Sequence, residues 1–195
     1  MNDLLPLLTY SLLMSITPGP NNILLTTSGA NFGYRRTLPH LLGVNAGNGI
    51  QTWVTCMGLG AVLVQHPVIH DTLRVAGSLY LLWMAWRLTT PIVFGAELAS
   101  PLSFTEAVAF QFVNPKTWLK SVTLATVFMP SDMSTAAGAL LVMAVTLGIN
   151  FPCISLWALF GSGLRRVLTR PGRREAFNAI MAGSLAVLAV LLLTR

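Results

Sequence analysis

The sequence predicts an all-α polytopic membrane protein with six transmembrane helices. The plan it implies is two inverted three-helix repeats in which helices 1 and 4 are broken. Three observations predict it. Of 195 residues, 54% are hydrophobic and only 9% charged, whereas an ordinary soluble domain carries about a quarter of its residues as charged side chains. The apolar residues fall into six long stretches, and the first and fourth are interrupted by proline, asparagine and glycine. So little charge cannot cover a soluble body of this size. Disorder is excluded too, because it needs few apolar residues and many charges. At about 20 residues per span, six spans leave short loops and no room for a second domain. Residues 1–195 therefore read as a single transmembrane domain, with inverted halves at 1–90 and 103–195.

The six stretches lie at about 4–27, 37–64, 73–90, 103–129, 134–160 and 177–193. They are too long and too continuous for barrel strands. The first begins without Lys or Arg, so it lacks the positive region of a cleaved leader and is expected to be retained. The second carries Asn45, Asn48, Thr52 and Thr55 at helical spacing, a polar stripe that reads either as interhelical glue or as a substrate lining. Its Gly43 and Gly47 form a small-xxx-small pair that permits close helix approach. In the fifth, Asn150 precedes Pro152 and can face the same cavity as the stripe. Cys56 and Cys153 lie inside apolar runs without metal-ligand spacing and read as buried thiols.

Between the stretches come Gly33 to Arg36, Gln65 to Pro67, Pro91 to Pro101, Pro130 to Asp132 and Gly161 to Glu175. Odd-numbered loops hold Arg35, Arg36, Arg87, Arg165, Arg166, Arg170, Arg173 and Arg174, while even loops and the termini hold only Arg74 and Arg195. That asymmetry is a topology signal rather than a nucleic-acid surface. It places odd loops in the cytoplasm and both termini in the periplasm.

The first interruption is Thr17-Pro18-Gly19-Pro20-Asn21-Asn22, and the fourth stretch carries Asn114-Pro115-Lys116. Prolines remove amide donors and glycine allows non-helical dihedrals. In hydrocarbon such a break is tolerated where protein or a wet cavity satisfies the freed carbonyls. Pro18 lies roughly 21 Å from Leu4, and Pro115 roughly 18 Å from Ser103. Both therefore fall near the middle of a core about 30 Å thick, approached from opposite sides. Broken helices in corresponding positions of inverted halves point to a transporter site. The half-helix N-termini and Lys116 suit a carboxylate, and the carbonyls near Thr17 and Val113 suit an ammonium. The alternative for Lys116 and Lys120 is that both snorkel to headgroups, Lys120 having the shorter route outward.

These motifs resemble the LysE/RhtB family of amino-acid exporters. Thr17-Pro18-Gly19-Pro20 is similar to that family's first helix, Gly33 and Gly43 to Gly47 to its glycine pattern, and Gly77 to Arg87 to its aromatic third helix. Gln111 to Trp118 is similar to its Asn-Pro-Lys motif. The resemblance covers the whole chain. It implies proton-driven export of amino acids or close derivatives across a bacterial inner membrane, with no cofactor and no metal. The implied partners are a small-molecule amino acid, protons and the lipid bilayer, with a homo-oligomer as an open alternative. Ala85 and Glu106-Ala107 depart from the family's glycines at those points, and Glu106 is the one carboxylate approaching the interior. An intramembrane enzyme would need a catalytic constellation at depth, yet His40, His66, His70, Asp3, Asp71 and Asp132 all sit near span ends. A channel or scaffold subunit is the other alternative class. The charge count predicts that a reporter fused after Asp132 or Arg195 reads as periplasmic and one within 163–174 as cytoplasmic; reversed activities would overturn the orientation.

Overall fold

The computed structural model of the chain describes residues 4–60, 65, 67–89 and 100–193. Every regular element among the described residues is helical. In order they are α1 (Leu4–Ile16), α2 (Pro20–Phe32), α3 (Tyr34–Val54), a π-helical turn (Thr55–Leu59), α4 (Pro67–Thr89), α5 (Phe104–Val113), α6 (Pro115–Val127), α7 (Thr135–Leu164) and α8 (Pro171–Leu193). Residues 61–64 at the end of the second stretch, His66, the separator at 91–99 and Arg195 lie outside the described residues.

Local chemistry explains the boundaries. Three helices begin on proline, at Pro20, Pro115 and Pro171, where the missing N–H has no intrahelical partner to lose and φ is preset. Ser103 and Ser134 cap α5 and α7 through their side chains, and Asn114 caps α6. Gly33 joins α2 to α3 at φ 82°, a backbone conformation that side-chain-bearing residues rarely adopt. The helices run beyond the apolar stretches: α2 reaches Phe32, α3 already starts at Tyr34, and α8 takes in the charged segment from Pro171. Helix propensity and capping set those ends, whereas hydropathy reads only the apolar middle. Pro39 and Pro152 stay inside α3 and α7 without ending them.

Three crossings are close enough to put backbone on backbone, one of them where a Cβ on Gly77 of α4 would collide with the Val113 carbonyl of α5. At α2 and α7, a Cβ on Gly29 would collide with the Ala158 carbonyl, and one on Gly161 with the Thr26 carbonyl. At α3 and α5, a Cβ on Gly43 would meet the Phe104 carbonyl, and one on Gly47 the Val108 backbone. Helix α3 also touches α6 and α7, α1 lies along α7, and α4 packs against α8. Leu24, Leu81, Phe110 and Leu185 centre one apolar cluster; Leu25, Leu41, Ala107 and Ile154 centre a second. Leu7, Cys56, Leu124 and Val142 form a third beside the π-helical turn.

The polarity of the molecule is inverted relative to a soluble bundle. Leu5, Val68, Trp86, Leu119, Val127 and Ile180 are more than half exposed, while Asn22, Asn48, Gln51, Gln111, Asn114, Lys120 and Asn150 are buried. Among the described residues two helical segments, Thr135–Leu164 and Gly172–Leu191, are long and apolar enough by themselves to cross a membrane. The prediction from the crossings is that Gly161→Ala costs about 1–3 kcal/mol through forced backbone separation. Gly148→Ala, with open space around it, should leave the melting temperature of the detergent-purified protein unchanged. Equal melting of the two variants would show that the close crossing is not needed.

Candidate functional site

The end of α1 exposes carbonyls that no further turn of helix can satisfy, and three separate elements supply their donors. Asn22, on α2, donates its side-chain N–H to the carbonyls of Ser15 at 3.0 Å and Thr17 at 2.9 Å. Trp157, on α7, donates its indole N–H to the Ile16 carbonyl at 3.1 Å. Lys116, from the second break, donates to the Thr17 carbonyl at 2.8 Å, the Thr17 hydroxyl at 2.9 Å and the Pro18 carbonyl at 3.2 Å. The chain has room for this because Gly19 has no side chain: a Cβ there would lie 2.8 Å from Lys116 Cδ.

The second break is closed more locally. Asn114 Oδ1 accepts the Lys116 backbone N–H at 3.1 Å, and Thr117 Oγ1 donates to the Gln111 carbonyl at 2.9 Å. Trp118 donates its indole N–H to the Phe112 carbonyl at 2.8 Å, much as Trp157 serves Ile16. Side-chain amides then tie the two halves together. Asn21 and Gln111 exchange N–H···O bonds at 2.8 and 3.2 Å, and Asn150 donates to Asn45 Oδ1 at 3.0 Å.

Between the breaks lies a small polar cavity, partly open to the outside. Of the twelve residues that the sequence nominates, Gly19, Asn21, Asn22, Asn48, Asn114, Lys116 and Asn150 line it. Thr17, Pro18, Pro20, Asn45 and Pro115 do not line it: Thr17 and Pro18 receive the Lys116 bonds, Asn45 pairs with Asn150, and the two prolines start α2 and α6. The N-terminus of α2 has no side-chain cap at Gly19, and Gly19, Asn21 and Asn22 at that positive dipole end border the same space.

The structure corrects two expectations and gives Glu106 a place. The carbonyls near Thr17 are not open to an ammonium ligand, because Lys116, Asn22 and Trp157 occupy them. Lys120 does not run outward to headgroups: it is 3% exposed, lines the cavity and donates to Ser15 Oγ at 3.2 Å. Glu106 caps α5, its carboxylate accepting from the Ser103 N–H and hydroxyl, each at 2.8 Å. Sequence reasoning also missed Ser15, Thr117 and Trp157. For Ser15 there was a signal: with Ser11 it marks a polar i, i+4 pair on an apolar helix, and both are buried.

An interior of amides and ammonium groups, enclosed by an apolar surface and built around two interrupted helices, defines a membrane translocator rather than an enzyme. The chain belongs to the LysE type translocator family, whose model matches residues 12–195. It is 34% identical over 187 residues to the cysteine/O-acetylserine efflux proteins of Escherichia coli (strain K12) and Shigella sonnei (strain Ss046), with 93% of each chain covered. The protein of that name from Escherichia coli O1:K1 / APEC is 33% identical over the same length. No solved structure gives a significant match.

The carbonyl bonds predict that Lys116→Met lowers stability by about 1.5–3 kcal/mol, the range for hydrogen bonds to a charged group. That is several degrees of melting temperature at this chain length. Trp157→Phe, which removes one donor and keeps the ring, should fall by less. If Lys116→Met melts like the parent protein, the ammonium does not hold the break.

Proposed function

We propose that the protein exports an amino acid or a close derivative from the cytoplasm, and that the cavity between the two breaks is the site through which it passes. The observation that carries the reading is the meeting of the breaks. Two helices interrupted by Pro-Gly-Pro and Asn-Pro, far apart in sequence, come together around a polar cavity inside an apolar shell. Efflux relatives named for cysteine and O-acetylserine that align over nearly the whole chain make small polar amino acids the first substrates to try.

The architecture in this reading is a single domain of six spans: α1 with α2, α3, α4, α5 with α6, α7, and α8. Its halves are related by inversion, and the packing supports that relation. The unbroken α3 touches both parts of the second broken helix, α7 touches both parts of the first, and α3 meets α7 as α4 meets α8. Orientation follows from charge, with both termini periplasmic and the odd loops cytoplasmic, in a bacterial inner membrane. Contacts at one end of the bundle support it. Arg174 donates to Asn31 at 2.7 Å, Arg36 lies over the Phe32 ring at 5.7 Å, and the Arg165 guanidinium sits beside Gly33, so loops one and five share a face.

Substrate enters this scheme as a zwitterion. The α2 N-terminus and Lys120 favour its carboxylate, and Asn21, Asn22, Asn48, Asn114 and Asn150 offer amide donors and acceptors around it. The proton gradient is the proposed driving force, on the strength of the family resemblance. Loaded vesicles should release labelled cysteine or O-acetylserine faster than leucine or lysine, and a pH gradient should accelerate release several-fold. Release equal to that of protein-free vesicles for every amino acid would overturn the assignment, and release indifferent to the gradient would remove proton coupling alone.

A further inference from the structure

We infer that Lys120, together with the side-chain amide of Asn114, forms the carboxylate-binding site of the cavity, and that Lys116 is a positioning residue excluded from that role. The inference rests on the exporter reading above and deepens it, because it assigns which of two neighbouring lysines meets the ligand.

A lysine ammonium has three N–H donors and no acceptor. Lys116 directs its donors at three oxygens of the first break, the Thr17 carbonyl, the Thr17 hydroxyl and the Pro18 carbonyl. Nothing of its hydrogen-bonding capacity is left for a ligand. Lys120 makes a single bond, to the neutral Ser15 hydroxyl, and is 3% exposed. Two of its donors have no protein acceptor among the described residues, and no carboxylate there pairs with it. A buried cation in that state is costly unless a counter-charge arrives.

Asn114 supplies the second, independent observation. It is 1% exposed, and its Nδ2 is buried without any acceptor. The orientation of its amide is fixed, because Oδ1 already accepts the Lys116 backbone N–H. A donor therefore points where the protein offers it nothing. Lys120, Asn114 and the uncapped N-terminus of α2 all border one cavity. Donors that converge there without acceptors describe an anion site. Across the cavity on α3, the buried Oδ1 of Asn48 lacks a donor, which suits the ammonium of the same molecule. A free amino acid satisfies both ends, whereas its ester or its decarboxylated amine satisfies only one.

The test measures the rise in melting temperature of the detergent-purified protein with L-cysteine, L-cysteine methyl ester, cysteamine and inorganic phosphate, and export of L-cysteine from vesicles. The parent protein should respond to L-cysteine at concentrations at least tenfold lower than to the ester or cysteamine, and weakly or not at all to phosphate. Lys120→Met should raise the half-saturating L-cysteine concentration at least tenfold and erase the preference over the ester. Without ligand it should melt no lower than the parent, because it removes an unpaired buried charge. A lysine with a purely structural role would lower melting and leave the preference intact. Lys120→Gln, which keeps a donor, should lie between. A Lys120→Met protein that keeps the parent's half-saturation and preference overturns the assignment, as does a parent that takes cysteamine as readily as cysteine. If the parent neither binds nor exports any amino acid of the panel, the exporter reading itself falls, a result distinct from both.

Discussion

Satisfying the carbonyls released at the end of α1 is the constraint on which the rest of the structure depends. An unpaired peptide oxygen enclosed by apolar surroundings costs free energy comparable to a lost hydrogen bond, and Pro18-Gly19-Pro20 leaves several of them together. Their donors come from three directions: Asn22 from the following helix, Trp157 from α7 and Lys116 from the second break. Each can reach only if its helix lies close. The glycine crossing of α2 on α7 brings Trp157 within range, and the absence of a side chain at Gly19 admits the stem of Lys116. Local sequence, packing and the polar interior are thus parts of one solution.

The second break shows how the same problem is met with fewer long-range partners. Asn114 caps α6, Thr117 turns back to Gln111, and Trp118 reaches the Phe112 carbonyl. What crosses between the halves there is a side-chain exchange, Asn21 with Gln111, rather than a backbone rescue. The two breaks are therefore similar in construction and different in dependence. The first relies on a lysine from the second, and the second relies mainly on itself. That asymmetry is why two lysines one turn apart on α6 end in different surroundings, one against backbone oxygens and one against the cavity.

Much of the plan was legible in the sequence because it is written in strong local signals. Proline beside glycine or asparagine inside an apolar run marks a break wherever it occurs. Of the stripe Asn45, Asn48, Thr52 and Thr55, the last three are buried and Asn45 is half-buried against Asn150, and Cys56 and Cys153 are the buried free thiols expected of them. Other features depend on partners remote in sequence, which spacing alone does not reveal. Nothing around Trp157 announces that it serves a carbonyl on α1, and nothing at Lys116 says that its donors are already taken. Position alone gave Glu106 no role, whereas the Ser103-x-x-Glu106 pattern was a capping box in plain view. The π-helical turn at Thr55–Leu59, with Gly58 at φ 125°, had no warning beyond the glycine itself.

The glycine crossings also divide the molecule mechanically. Where backbone touches backbone, there is no layer of side chains to slide or change rotamer, so α2 is coupled to α7, and α3 and α4 to α5. The amide pairs Asn21–Gln111 and Asn45–Asn150 run between these two groups, not within them. Any rearrangement that preserves the crossings moves the chain as two stiff struts, with paired side-chain amides as the joint. Such a joint tolerates rotation, because an amide pair can tilt about its own hydrogen bonds before it breaks.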